Sequence, residues 1–313
     1  MVIEGYNELA GPGELDDTMS ELKRQAFDLA DVEVVLVGSV AQVGEWKKRY
    51  GEGMPFHRVE FVAADGAQYY ELKSRGAAVA RGAIIAFLDS DAPPAPGWLG
   101  AVARGIERGA DAVAGPSLFR PAGGAVVNPV ELLAAACISW GYVVGNGSPN
   151  GLVAHNVAFR AEVFRNHGFR SDLGRSCGAW FVYCSLKKGG TRLALQPDQR
   201  TAHVYSMRWW LRILHPRMGY EVRRQRRLDP RYPHRWVVRT GPLEPLLTMV
   251  WRVARDIPQW WRFAKTLGLT PSRRVGMLPL VVPMALAARC AEAAGMYATM
   301  LDEPRMQRFA DTH

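Results

Sequence analysis

Nine consecutive residues, from Ala83 to Asp91, constrain the fold of this chain more than any other stretch. The first six are all apolar, a pattern typical of a strand that is buried on both faces of a parallel sheet. Asp89 and Asp91 follow at once, and because alternate residues of an extended segment point to the same side, their carboxylates can converge. Ligands of open α/β sheets bind beyond the carboxyl ends of the strands, so the pair suits Mg²⁺ or Mn²⁺ bridging substrate phosphates. The alternative is that Asp89 caps the next helix and Asp91 faces water.

The flanking sequence alternates short apolar runs with amphipathic segments. Strands are predicted at 1–3, 32–37, 58–63, 83–88 and 111–115, and helices at 15–29, 43–50, 68–80 and 98–108. Farther along, the patterns predict helices at 129–143, from 156–160 onward and at 180–188, with a late strand at 192–195. Alternation of this kind is typical of βαβ units with right-handed crossovers. We therefore expect an α/β fold with a mainly parallel central sheet flanked by helices.

Charge and cysteine content narrow the partners and the compartment. The chain has 313 residues and a net charge of +9, which requires an acidic partner: nucleic acid, anionic lipid or a phosphorylated substrate. Its four cysteines form no C-x-x-C pair, which argues against a zinc site or a disulfide framework and favours a reducing compartment. No signal peptide is predicted, because the sequence begins in a strand, although this strand is short enough for the natural start to lie upstream.

The last third of the chain, residues 206–313, is basic and rich in tryptophan. The segment 209–214 (WWLRIL) lies among ten arginines between residues 208 and 239, a composition typical of a helix in an anionic membrane interface. One alternative is that these helices simply pack on the α/β domain. Nucleic-acid binding is a less favoured alternative, because no known nucleic-acid-binding module is recognisable. Residues 277–300 are apolar but contain two prolines, Arg289 and Glu292, so no transmembrane helix is predicted.

Several short stretches, taken in order, carry a family resemblance. They are VIEGYNE at 2–8, YYELKSRG at 69–76, ARG at 80–82, FLDSD at 87–91, PGWL at 96–99, NVAFR at 156–160, and GTRL at 190–193 with Pro197 leading to His203. The chain resembles the nucleotide-sugar glycosyltransferases of the family-2 type, the inverting class with a Rossmann-like fold. The resemblance covers about residues 1–205, which predicts a glycosyltransferase domain at 1–205 and a helical C-terminal extension at 206–313.

The resemblance implies roles for particular residues. Asp91 would be the direct ligand of Mg²⁺ or Mn²⁺, and Asp89 would lie nearer the ribose of the donor. Glu4 and Lys73 fall at donor-binding positions, and His203 matches a late histidine that reaches the metal or the diphosphate in some relatives. Without the match, His203 is equally well explained as a structural histidine at a strand end, and Lys73 as a solvated lysine on a helix.

Two departures from the family pattern affect base recognition and acceptor activation. The second strand ends without an acidic residue, which leaves base recognition to backbone groups or to residues such as Asp65. The acidic pair whose second member deprotonates the acceptor falls here on Gly178-Ala179. Three explanations stay open. Asp172 could supply the base, although it is more simply explained as a turn residue. The acceptor could need little deprotonation, or the protein could bind donor without turnover.

Together these observations predict a metal-dependent glycosyltransferase, and the resemblance implies transfer with inversion. Its donor would be a nucleoside-diphosphate sugar, and its acceptor a lipid-linked molecule, a polysaccharide or a small molecule. The basic extension predicts a cytoplasmic protein held peripherally at the inner face of the membrane, with a role in cell-envelope biosynthesis and no nucleic-acid partner. The alternative is a catalytically weak relative that binds nucleotide sugar or acts as a scaffold at the membrane.

Overall fold

The computed structural model describes residues 1–6, 13–120, 152–170, 172, 178–204, 209–266 and 269–312. The helix predicted at 129–143 lies outside these residues. The chain forms two compact units. The first takes in the described residues up to Leu118 and those from 152 to 203, and the second takes in the described residues from Val204 onward together with Phe119 and Arg120. The domain limit that the sequence predicts at residue 205 stays a prediction.

The first unit alternates strands and helices, as the hydrophobic pattern predicts. Its elements are β1 (Val2–Glu4), α1 (Gly13–Lys23), β2 (Glu33–Gly38), α2 (Val40–Tyr50), β3 (Arg58–Ala63), α3 (Tyr69–Val79), β4 (Ile84–Asp89), α4 (Trp98–Glu107), β5 (Ala112–Ala114), β6 (Ser117–Arg120), β7 (Asn156–Arg160), α5 (Ala161–His167), α6 (Gly178–Lys188), β8 (Leu193–Leu195) and β9 (Thr201–Val204). The first helix ends at Lys23 and not at residue 29 as predicted, and a 3₁₀ turn follows at Leu29–Asp31.

Seven strands form the central sheet in the order β3-β2-β1-β4-β7-β5-β8, and β6 pairs with β9 in a separate ribbon. All neighbours in the central sheet are parallel except β7, which runs antiparallel to β4 and β5. The prediction that a helix opens at 156–160 is wrong, since Asn156–Arg160 is β7 and the helix begins at Ala161. The run NVAFR is fully apolar at its centre, and a short run of this kind does not distinguish a buried strand from a buried helix.

The sheet is covered by helices through an apolar core. Leu36, Leu88, Met19 and Trp98 are fully buried in a single cluster, so β4 is enclosed on both faces as its sequence predicts. The side chain of Asn156 links three segments that lie beyond the ends of the strands. Its side chain accepts a hydrogen bond from Trp98 Nε1 (2.9 Å) and donates to the carbonyl oxygens of Pro116 and Gln199 (3.0 and 2.8 Å). This amide therefore fixes the edge of the sheet at which β4 ends.

The second unit is helical. It contains a π-helical turn at Trp210–Leu214, α7 (His215–Leu228), a 3₁₀ segment at Arg235–Leu243, α8 (Glu244–Thr266), α9 (Pro271–Leu301) and α10 (Glu303–Thr312). Trp210 and Leu214 are buried, because the π-helical turn packs against α7 and α9. The prediction that these two side chains lie in a membrane interface is therefore wrong.

Candidate functional site

The site is built on the end of β4. Parallel pairing sets Glu4 of β1 beside Asp89 of β4, so two carboxyl groups from adjacent strands meet at the carboxyl edge of the sheet. The backbone beyond β4 is held in place: Ser90 N donates to Glu4 O (3.1 Å), and Thr18 Oγ1 donates to Ser90 O (2.7 Å). Asp89, Ser90 and Asp91 are all at least nine-tenths buried. The predicted pair thus lies where a ligand of an open α/β sheet binds.

Lys73 of α3 is the cation of this cluster. Its side chain is fully buried, and its Nζ lies 2.6 Å from Asp89 Oδ1 and 3.6 Å from Glu4 Oε1. Tyr69, one turn earlier on the same helix, donates its hydroxyl to Asp89 at 3.0 Å, and Lys73 Nζ lies 4.6 Å from the centre of the Tyr69 ring. Lys73 is therefore a buried partner of Asp89 and not a solvated lysine. Tyr69 is a site residue that the sequence analysis missed, although it opens the YYELKSRG stretch.

Glu4 lies beside Asp89 on the neighbouring strand, with 1% of its surface exposed. Burial raises the pKa of Glu4 well above its ordinary value, and Asp89 raises it further against the opposing effect of Lys73. A protonated Glu4 can donate to Asp89, while its Oε2 accepts a hydrogen bond from Tyr6 N at 2.6 Å. Lys73 thus faces two buried carboxyl groups at this point, and a proton on Glu4 would reduce the negative charge beside Asp89.

A second polar chain reaches Asp89 from the other side. His155 Nδ1 lies 4.0 Å from Asp89 Oδ2, and its Nε2 lies 2.7 Å from Ser117 Oγ. Ser117 in turn lies 3.0 Å from Thr201 Oγ1, so this chain connects β4 with the starts of β6, β7 and β9. The sequence analysis missed His155, whose signal is its place directly before the NVAFR stretch.

The packing of Trp46 on the ends of β1 and β2 explains why the second strand ends without an acidic residue. A Cβ at Gly38 would lie 2.7 Å from the ring of Trp46, and one at Gly5 would lie 2.5 Å from it. Trp46 of α2 therefore packs directly on both strand ends and leaves no room for a side chain. Asp65, the predicted alternative, accepts a hydrogen bond from the backbone N of Val40 (2.8 Å) at the start of α2.

The position of the missing acidic pair is also occupied. Gly178 begins α6, and a Cβ there would lie 2.5 Å from the ring of Tyr70. The Tyr70 hydroxyl accepts a hydrogen bond from Ala179 N at 3.1 Å, and its ring stacks on Phe169 with centroids 5.0 Å apart. Since Tyr70 fills this space, any larger residue at position 178 requires the ring to move.

The described contacts do not test the roles predicted for Asp172 and His203. Asp172 forms a two-point pair with Arg170, with distances of 2.6 and 2.5 Å, and its side chain is 58% exposed. His203 lies in β9, and its side chain is outside the described part of the structure. The roles predicted for both residues stay predictions.

Whether the residues at the end of β4 can hold a divalent metal depends on their carboxylates. Among the described residues, no three His, Cys, Asp or Glu side chains converge as a metal site made by protein alone. Mg²⁺ and Mn²⁺ bound to phosphates need only one or two carboxylates, because phosphate oxygens and waters complete their coordination. Asp89 already pairs with Lys73, and Asp91, two residues on, supplies a second set of hard oxygen donors. The residues present therefore fit a metal that binds together with a phosphorylated substrate.

Comparison with solved structures identifies the fold. A mannosyltransferase from Pyrobaculum calidifontis, in complex with GDP-Man and Mn²⁺, is 16% identical and superposes with a TM-score of 0.59 over 97% of this chain and 86% of its own. GalNAc-T7 with UDP, GalNAc and Mn²⁺ is 17% identical, with a TM-score of 0.50 over 65% of this chain and 43% of its own. No curated protein sequence matches the chain significantly.

The fold of the solved structures and a family match together identify the chain as a glycosyltransferase. A family model, "Glycosyl transferase family 2", matches residues 2–168, which is more than half of the chain. The protein belongs to this family, which confirms both the predicted family and the predicted fold class.

Proposed function

We propose that this glycosyltransferase binds a nucleoside-diphosphate sugar with Mg²⁺ or Mn²⁺ at Asp91 and transfers the sugar to an acceptor hydroxyl. The observation that carries the proposal is the buried group of Asp89, Lys73 and Tyr69 at the carboxyl end of β4, with Asp91 beside it. Two solved structures with this fold contain Mn²⁺ with a nucleotide or nucleotide sugar, which supports the same class of donor.

Each residue of the group has a distinct task in this proposal. Lys73 and Tyr69 fix the orientation of Asp89, which faces the ribose side of the donor. Asp91 holds the metal, which when bound neutralises charge that builds on the leaving diphosphate. Glu4 and the His155–Ser117 chain hold Asp89 in position and do not contact the donor themselves.

Donor turnover tests this proposal. Purified protein is given a panel of nucleotide sugars with Mn²⁺, with Mg²⁺ or with EDTA, and release of the nucleotide is measured. We expect one donor to be hydrolysed with metal only, and Asp91→Asn to lower the rate by about 10²–10³-fold. Asp31→Asn is the matched control, because Asp31 precedes β2 at the opposite end of the sheet. Metal-independent turnover, or an Asp91→Asn variant as active as Asp31→Asn, would refute the proposed metal role.

We propose Asp172 as the base that deprotonates the acceptor. Pairing with Arg170 fixes the position of the carboxylate, and its exposure lets an acceptor approach. A base contributes about 10²–10⁴-fold, so Asp172→Asn should lower transfer to a hydroxyl acceptor by that factor and leave donor binding unchanged. Unchanged transfer would exclude this residue and favour an acceptor that needs no deprotonation.

The resemblance to the family-2 type further supports inversion at the anomeric carbon. Proton NMR of the first product formed, before mutarotation, measures this directly through the anomeric coupling constant. A product with the configuration of the donor would contradict the proposal. Lipid-linked, polysaccharide and small-molecule acceptors are the three classes to compare in the same assay.

A further inference from the structure

The second unit has an unusual distribution of polar and apolar side chains. One face of α8 carries polar residues at steps of three and four, namely Glu244, Thr248, Arg252, Asp256 and Gln259, and all five are buried. The opposite face of the helix is apolar and exposed. This is the reverse of the pattern expected for a helix of a globular protein in water, where the apolar stripe faces the core.

Ion pairs between helices account for the buried polar face. Arg289 of α9 contacts Asp256 of α8 and Glu292 of its own helix, both at 2.5 Å, and Arg252 contacts Glu292 at 2.8 Å. At the start of α8, Glu244 accepts from Arg226 of α7 at 3.1 Å. Charged side chains that face the interior of a helical bundle, paired with one another, are what helices in contact with lipid require.

The exposed face continues from α8 onto α9. Leu246, Leu247 and Val250 of α8, and Val275, Val282 and Leu286 of α9, are each between 42 and 63% exposed. The two helices run antiparallel, because Cys290 Sγ lies 3.7 Å from Met249 Sδ and the Tyr297 hydroxyl donates to Pro242 O. We call these six side chains the outer face. Contiguous exposed apolar surface of this kind marks an interaction site.

Cations at the turn between α8 and α9 indicate the partner. Arg262, Lys265 and Arg273 are exposed there, and no carboxylate of the described residues pairs with them. Trp261 lies beside this turn with the guanidinium of Arg274 stacked 4.4 Å from its ring centre. Tryptophan and arginine next to an apolar face are typical of helices at the level of anionic headgroups.

The geometry points to a docking surface for an anionic bilayer: we propose that the outer face of α8 and α9 inserts into one leaflet. By length and composition α9 could cross a membrane, and only 28% of its most apolar window is buried. However, the exposed apolar side chains lie on one side of the helix pair, whereas the other side of α8 carries buried charges paired with α9. The neighbouring helix α7 also carries half-exposed arginine at Arg227, so the bundle presents a polar side to water. These features fit a helix pair that lies in the membrane plane.

Vesicle flotation with the full chain tests this inference independently of donor turnover. We expect the protein to float with phosphatidylcholine vesicles that contain phosphatidylglycerol, and much less with phosphatidylcholine alone. The variant Leu247→Gln/Leu286→Gln should weaken binding by about tenfold or more, since each leucine no longer enters the apolar layer. Leu228→Gln is the matched control, because Leu228 of α7 is exposed to the same extent (49%, against 47% for Leu286) but lies off the outer face.

A second variant separates membrane binding from folding. Arg262→Gln/Lys265→Gln/Arg273→Gln changes only exposed side chains, and it should lose the preference for anionic vesicles and the salt dependence of binding. Protein that stays soluble with every vesicle would overturn the proposal. So would self-association that Leu247→Gln/Leu286→Gln abolishes in sedimentation, because the outer face would then join two copies. Equal binding by the double leucine variant and Leu228→Gln would overturn it as well.

Discussion

In the first unit the buried charges gather at one edge of an apolar sheet, whereas in the second they run between helices whose outer face is apolar. Glu4, Lys73 and Asp89 lie where strands end, and the rest of that unit has an ordinary hydrophobic core. In the second unit Arg289 and Glu292 lie in the middle of a helix and pair with α8. The first arrangement is typical of a binding site, and the second reflects what surrounds the helices.

The two units should respond differently when a buried charge is removed. A buried charge that loses its only partner is costly, by about 3–5 kcal/mol, whereas a charge with other partners loses less. In the first unit one lysine serves two carboxyl groups. In the second unit Glu244, Asp256 and Glu292 each contact two arginines. Variants at the two places should therefore differ in both stability and activity.

The largest effect is expected at Lys73. Lys73→Met leaves Asp89 without its buried cation, so the free energy of unfolding of the first unit should fall by about 3–5 kcal/mol. Denaturant titration measures this, and Lys47→Met on α2 is the control because its side chain is exposed. If Lys73→Met unfolds at the same denaturant concentration as Lys47→Met, the cluster is not a paired buried group.

A smaller effect is expected at Arg289. Arg289→Met removes one partner each from Asp256 and Glu292, but Asp256 keeps Arg255 at 3.4 Å and Glu292 keeps Arg252 at 2.8 Å. We expect a loss of about 2–3 kcal/mol, below that of Lys73→Met. Arg262→Met provides the exposed control. A loss equal to or above that of Lys73→Met would show that the network in the second unit does not share its charges.

The response to pH should have opposite signs in the two units. The raised pKa of Glu4 means that its contribution to stability is full below about 4.5 and is lost as the pH rises toward the folded pKa. Burial, with Arg289 adding to it, lowers the pKa of His215 to about 3 from 6.5, so its contribution is lost as the pH falls from 6.5 toward 3. Glu292 acts in the same direction below 4.5: burial would raise its pKa, but Arg252 and Arg289 outweigh burial and lower it to about 2.

Melting curves of Glu4→Gln and His215→Gln across pH test these signs. Relative to Glu4→Gln, the wild-type protein should lose at most about 1.4 kcal/mol per pH unit above 4.5. Relative to His215→Gln, it should lose stability by up to the same slope below 6.5. Parallel curves for wild type and variant would mean that the group concerned has no shifted pKa.

The smallest effect is expected on the outer face of the second unit. In water, Leu286→Gln should change the free energy of unfolding by no more than about 0.5 kcal/mol, because the side chain is half exposed. Met296→Ala, at a fully buried position of the same helix, should cost about 2–5 kcal/mol. Comparable losses in the two variants would show that the outer face is covered within the protein itself.

The sequence predicts the first unit better than the second because β4 and its carboxylates form one local pattern. Its strand and the position of Asp89 and Asp91 follow from nine adjacent residues. The partners of Asp89 come from α3, from β1 and from the residue before β7, and only the fold brings them together. Lys73 resembles any helical lysine until the close packing of α3 on the sheet encloses it.

In the second unit, composition alone predicts the wrong interfacial side chains. Trp210 and Leu214 look suited to a membrane, but they pack between helices of the bundle, and most of the large exposed apolar residues of this unit lie on α8 and α9. By composition the arginines look like a solvated basic face. Several of them nevertheless form ion pairs inside the bundle, with Glu244 and Asp256 of α8 and with Glu292 of α9. Partners that are distant in sequence cannot be matched from composition.

The most direct test of the central claim is whether Mn²⁺ with GDP or UDP stabilises the protein through Asp91. Melting temperature is measured for wild type, Asp91→Asn and Asp31→Asn, with each nucleotide in the presence of Mn²⁺ and of EDTA. We predict a metal-dependent rise with one nucleotide for wild type and Asp31→Asn, and none for Asp91→Asn. An equal rise in all three proteins, or none with either nucleotide, would contradict the assignment of the β4 edge as the donor site.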